Sequence, residues 1–74
     1  MRVTVKLFAT LRDGRFTEGE REYPAGTTIG DIIRTLEMDE NEAALIFVNG
    51  RHADIGYEIL DGDTLAIFPP IGGG

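Results

Sequence analysis

The residues with chemistry to offer lie together in Phe68-Pro69-Pro70-Ile71-Gly72-Gly73-Gly74. A strand-like run, Leu65-Ala66-Ile67-Phe68, meets two prolines, which have no N–H for a ladder bond and a fixed φ. Each proline also drives the residue before it toward extended geometry, so the segment is expected to stand away from the domain. Three glycines follow Ile71. They have no side chain to pack and are costly to order, so they do not help a fold. What they offer is a carboxyl on Gly74 at the tip of a thin tail with a stiff base, a shape suited to entering a narrow site. The expected division is a domain over residues 1–70 and a flexible glycine tail over 71–74. An inert, frayed end is the plain alternative.

The rest of the chain contributes no second chemistry. Its 74 residues contain no cysteine, which excludes a disulfide, a thiolate metal site and a sulfur nucleophile on a side chain. No paired carboxylates, no Ser/His constellation and no glycine-rich phosphate loop occurs, so no catalysis by the domain itself is expected. Gly72 to Gly74 do not read as a phosphate loop, because no helix follows them. A net charge of −6 argues against nucleic acid and favours basic protein partners. No apolar run approaches the ~20 residues a membrane span needs, and Met1-Arg2-Val3 reads as a strand start rather than a signal peptide. A cytoplasmic setting is the expectation. The hydrophobic share of 42% and charged share of 27% are those of a globular chain. At this size only ~60% of the unfolded surface is buried, so the core is thin.

The elements that must position the tail can be read in order. Arg2 to Phe8 alternates, with Val3, Val5 and Leu7 on one face and Thr4, Lys6 and Phe8 on the other, as a half-buried strand does. Ala9 to Gly14 reads as a single turn or wide loop. Arg15 to Tyr23 reads as a polar edge strand with Glu18, Glu20 and Glu22 on one side and a bulge at Gly19. After the turn at Pro24-Ala25-Gly26, Thr27 or Thr28 caps a helix. Ile29, Ile32, Ile33 and Leu36 fall on one face of that helix, and Gly30 weakens it slightly. Asp39 to Ala43 is a polar turn. Leu45-Ile46-Phe47-Val48 is a third strand whose unbroken apolar run points to burial on both sides or a central place. Asn49-Gly50 is a strong hairpin signal into Arg51-His52-Ala53. Tyr57 to Leu60 is irregular or a short helical turn, and Asp61-Gly62-Asp63 turns into the last strand. The order β-β-α-β-β-β predicts an α+β fold, a mixed sheet wrapped around one main helix; if the first and last strands are parallel neighbours, this is the β-grasp arrangement.

Several blocks carry a resemblance to a known family. They are Val5-Lys6-Leu7-Phe8-Ala9-Thr10-Leu11-Arg12, Ala25-Gly26-Thr27-Thr28-Ile29, Val48-Asn49-Gly50, Asp61-Gly62-Asp63 and the Phe68 to Gly74 tail. Together they resemble the MoaD/ThiS family of ubiquitin-like sulfur carriers across the whole chain. The Phe-Pro-Pro tail is most similar to the MoaD branch, the small subunit of molybdopterin synthase. The resemblance implies that an E1-like adenylyltransferase, using ATP and magnesium, activates the Gly74 carboxylate. A persulfide donor then converts it to a thiocarboxylate. Docked in the synthase large subunit, that group gives sulfur to a pterin precursor of the molybdenum or tungsten cofactor. It implies no cofactor bound by the chain itself. Alternatives are the carrier for thiamine thiazole synthesis, a ubiquitin-like modifier joined to lysines, and a plain interaction module.

Phe8 and Phe68 have opposite parity to Val3, Val5, Leu7, Leu65 and Ile67. On neighbouring strands both rings fall on the face away from the helix, near the root of the tail. Phe8, Phe68, Pro69, Pro70 and Ile71 are therefore the expected partner-binding group, because aromatic anchors dominate interfaces; burial under a loop as a second small core is the alternative. Arg12 and Arg51 read as solvated charges, and His52, just past the hairpin, is given no role.

Overall fold

The computed structural model describes residues 1–70. Its five-stranded sheet comprises β1 (Arg2–Leu7), β2 (Glu18–Glu22), β3 (Leu45–Val48), β4 (Arg51–His52) and β5 (Thr64–Phe68), in the order β2-β1-β5-β3-β4. β1 and β5 are parallel; the other neighbours are antiparallel. One α-helix, α1 (Ile29–Thr35), and a short 3₁₀ helix (Ala9–Arg12) complete the elements. This is the expected β-grasp.

Strand parity decides which face holds the helix. Val3, Val5, Leu7, Leu65 and Ile67 are fully buried, and they share one core with Ile29, Ile32 and Ile33 of α1. Burying each such side chain contributes roughly 1.5–3 kcal/mol. A helix of seven residues is too short to persist alone, so this packing holds it.

Its ends are closed by a local cap at each terminus and by residues distant in sequence. Thr28 caps the start: its side chain accepts from the Asp31 N–H at 3.2 Å, and Asp31 Oδ2 accepts from the Thr28 N–H at 3.0 Å. Hydrogen bonding to that carboxyl from the Thr28 backbone N–H and side chain, joined by the Arg34 guanidinium, holds it below the ordinary aspartate range. The next two orphan donors find carbonyls in the strap 53–60: Ile29 N–H reaches Tyr57 O at 3.0 Å and Gly30 N–H reaches Ile55 O at 2.8 Å. A Cβ on Gly30 would lie 3.3 Å from that same Ile55 oxygen. Gly30 is thus a close-approach glycine rather than merely a weak helix former.

At the C-terminal end Glu37 takes a left-handed φ of 55°. The Glu37 N–H bonds Arg34 O at 3.0 Å and the Met38 N–H bonds Ile33 O at 3.1 Å, a Schellman closure built without glycine. Arg15 fastens it. Its guanidinium donates to Leu36 O at 3.1 Å, Glu37 O at 3.1 Å and Leu11 O at 3.2 Å.

Three expectations change. No bulge forms at Gly19, because Val5 pairs with Gly19 and Lys6 with Glu18 one for one. β2 also starts at Glu18, not Arg15: Arg15 is committed to the helix end and Phe16 packs partly on the core. β3 lies second from the edge and is buried on one side only, at Ile46 and Val48, with Leu45 and Phe47 half-buried on the other. The other turns are as expected. Asn49 and Gly50, with φ of 52° and 81°, make the hairpin. Among the described residues no helix is long and apolar enough to cross a membrane.

Candidate functional site

The candidate site lies on the face of the sheet away from α1. Phe8 follows β1 directly, and its extended backbone (φ −121°, ψ 150°) still bonds Ile67 O at 3.2 Å. It therefore keeps the strand's parity and points away from the core, as Phe68 does on β5. The two rings stack at 4.2 Å between centroids with 8° between planes. Phe47 meets Phe68 edge-on at 5.8 Å, and His52 meets Phe47 edge-on at 5.7 Å. At the other end the Arg12 guanidinium lies 5.6 Å over the Phe8 ring while its Nε donates to Leu7 O at 2.9 Å. A strip of rings thus crosses four strands, from Arg12 through Phe8, Phe68 and Phe47 to His52. All three phenyl groups remain half-buried. None of the three is fully buried among the described residues.

The tail leaves from the edge of this strip. The last sheet bond of β5 is Ala44 N–H to Phe68 O at 3.1 Å. Pro69 and Pro70 follow immediately, and ladder bonding stops because neither has an N–H. They line an open groove of about 580 Å³ with Thr10, Asp13, Asp39 and Glu42. The expected groups at Ile71, Gly72, Gly73 and Gly74 lie outside the described residues.

Phe8 and Phe68 are therefore brought into contact, with Pro69 and Pro70 directly beyond. Phe47, His52 and Arg12 join them and were not expected to. The signal for His52 was present: a two-residue Asn-Gly turn pairs Val48 with Arg51 and Phe47 with His52, on the same face. Arg12 is not a plain solvated charge, because backbone and ring both engage it. Among the described residues no group of three or more His, Asp and Glu side chains is arranged to hold a metal ion.

At the opposite end of the sheet the polar residues are structural. Asp63 is buried and accepts from Asn49 Nδ2 at 2.9 Å and Leu60 N–H at 2.8 Å, which locks the two turns there.

A mixed five-stranded sheet with one helix on one face and a ring-bearing face opposite defines the ubiquitin-like β-grasp class. Comparison with known families agrees: a model described as the ThiS family matches residues 5–74, and the chain belongs to this family of ubiquitin-like sulfur carriers. It is similar to a Pyrococcus furiosus protein provisionally assigned as molybdopterin converting factor subunit 1, with 31% identity, 96% of this chain and 99% of that one covered, and a TM-score of 0.74. Small archaeal modifier protein 1 of Haloferax volcanii shares the fold at 24% identity, with 95% and 98% covered and a TM-score of 0.78. So does a chain from the Helicobacter pylori complex of molybdopterin-converting factor subunits 1 and 2, at 21% identity, with both chains fully covered and a TM-score of 0.67.

Proposed function

We propose that this chain is the sulfur-carrying small subunit of a molybdopterin synthase, and that its reactive group is the Gly74 carboxyl. The observation that carries the reading is the placement of Phe68, which lies in the aromatic face and hands the chain directly to Pro69-Pro70. Docking of that face therefore also presents Pro69-Pro70, the base of the tail, to the partner. The likeness to the Pyrococcus furiosus protein favours the molybdopterin branch over the thiamine branch.

The chemistry follows from what a carboxylate lacks. It is a poor electrophile until an E1-like partner, with ATP and magnesium, forms the acyl-adenylate and releases pyrophosphate. A persulfide sulfur then displaces AMP, and a thiol reduces the resulting acyl disulfide to free the thiocarboxylate. Gly72 and Gly73 add no Cβ, so the acyl carbon reaches a buried nucleotide and later a buried pterin. Phe8, Phe68, Pro69, Pro70 and Ile71 contribute binding to the adenylating partner and to the synthase large subunit.

Intact-mass and C-terminal-peptide spectrometry test this after incubation with the adenylating partner, ATP, magnesium and a persulfide donor. The expected result is the gain of one sulfur for one oxygen, located on Gly74. An adenylate that proceeds only to isopeptide attachment on lysine would move the protein to the modifier class. A thiocarboxylate used by a thiazole synthase and refused by the pterin enzyme would move it to the thiamine branch.

A further inference from the structure

The aromatic face contains one group that neither folding nor the sulfur chemistry uses. The chain has seven Lys and Arg residues. Five are engaged inside the domain: Arg2 with Glu20 and Glu22, Arg34 with Asp31, Arg15 with three carbonyls, Arg12 with Leu7 O and the Phe8 ring, and Arg21 over the Phe16 ring. Among the described residues Lys6 and Arg51 alone have no ion pair, hydrogen bond or ring contact of this kind. Arg51 pairs with Val48, so it falls on the helix side at the exposed edge of the sheet. Lys6 is different. It is half-buried on the helix-free face, in register with Ala66 on β5 and Glu18 on β2, two residues before the Phe8–Phe68 stack.

A partner that covers the rings must also cover Lys6. Removing the rest of its water from an ammonium is costly unless an opposite charge meets it. No carboxylate of the domain does so, although Glu18 stands across the strand pair. We infer that Lys6 selects a protein partner presenting an Asp or Glu carboxylate within the apolar surface that receives Phe8 and Phe68. This rests on the reading of that face as the docking surface and adds the local charge the partner must carry. The sign runs against the chain's net −6, which attracts basic surfaces at long range. A basic rim with an acidic group in its apolar centre satisfies both demands. A surface that is basic throughout draws the chain in but is rejected at Lys6, and such a mismatch is a common source of specificity.

The test is titration of the synthase large subunit with wild-type chain, Lys6→Met, Lys6→Arg and Phe68→Asp, each at low and high salt and each with a thermal melt. Methionine keeps the stem and removes the charge. Lys6→Met is expected to bind about tenfold more weakly or worse, with a flatter salt dependence and an unchanged melt. Lys6→Arg is expected to stay within about threefold of wild type, since it keeps the charge. If Lys6→Met matches wild type in affinity and salt slope while Phe68→Asp fails to bind, the selector role is overturned and the docking face stands. If Phe68→Asp binds as tightly as wild type, the docking face is wrong and the inference goes with it.

Discussion

The two faces of one sheet use different amino acids. Toward α1 the strands present Val3, Val5, Leu7, Ile46, Val48, Leu65 and Ile67, all buried and all aliphatic. Away from it they present Phe8, Phe47 and Phe68 with Lys6 and His52, none fully buried. Branched aliphatic chains interlock at the density an interior needs. Flat rings give large contact area to an incoming surface at low entropic cost, and that use requires exposure. The division puts the buried packing that stabilises the domain on the helix side and the recognition we propose on the ring side.

The sharpest way to break that division is to damage each side and see which property fails. Ile33→Ala, on the helix side, should cost about 2–5 kcal/mol of stability through the cavity it leaves. In so small a domain each kcal/mol is worth roughly 4–8 °C, so a melting scan shows it plainly. Phe68→Asp, on the ring side, should change the melt far less, yet cost about 2 kcal/mol or more of affinity for the synthase large subunit. A sharp fall in melting temperature with intact affinity would reassign the rings to a core.

Two smaller effects sharpen the picture of the helix side. Arg15→Ala should destabilise by about 1–2 kcal/mol, because three carbonyls lose their donor and Glu37 loses the support of its left-handed turn. Denaturant titration measures this, and affinity for partners should not move. Asp31 gives the smallest effect and a pH signature. Its folded pKa is depressed, so its stabilisation is present above the ordinary aspartate range and fades as pH falls through about 4 and below. Asp31→Asn should therefore lose stability at neutral pH and flatten the acid limb of the stability curve. Equal losses at neutral and strongly acid pH would contradict the cap.

How much of this was legible in the sequence follows from the range of each interaction. The buried positions of β1 and β5, the isoleucine stripe of α1 and the Asn49-Gly50 hairpin follow local periodicity and turn chemistry, and all three appear as expected. The Phe8–Phe68 pairing was also within reach, because it needs only parity and one parallel neighbour. Gly30 was misjudged since its reason lies 25 residues away, at the Ile55 carbonyl. Arg15 was passed over for the same cause: its acceptors at Leu36 and Glu37 come from the far end of the helix. Gly19 was expected to bulge, but on an edge strand it pairs in step, at a site where Phe16 Cδ1 lies 3.8 Å from where its Cβ would be. His52 needed both the hairpin register and the sheet order, and only the first could be read.

The most direct test of the division between the faces is a map of backbone amide shifts in isotope-labelled chain as the synthase large subunit is added. The account predicts that the perturbed amides centre on Lys6, Phe8, Phe47, His52, Ala66 and Phe68, with α1 and residues 53–60 nearly silent. Perturbations centred on the exposed side of α1 and on Ile55 and Tyr57, with the rings unmoved, would contradict it.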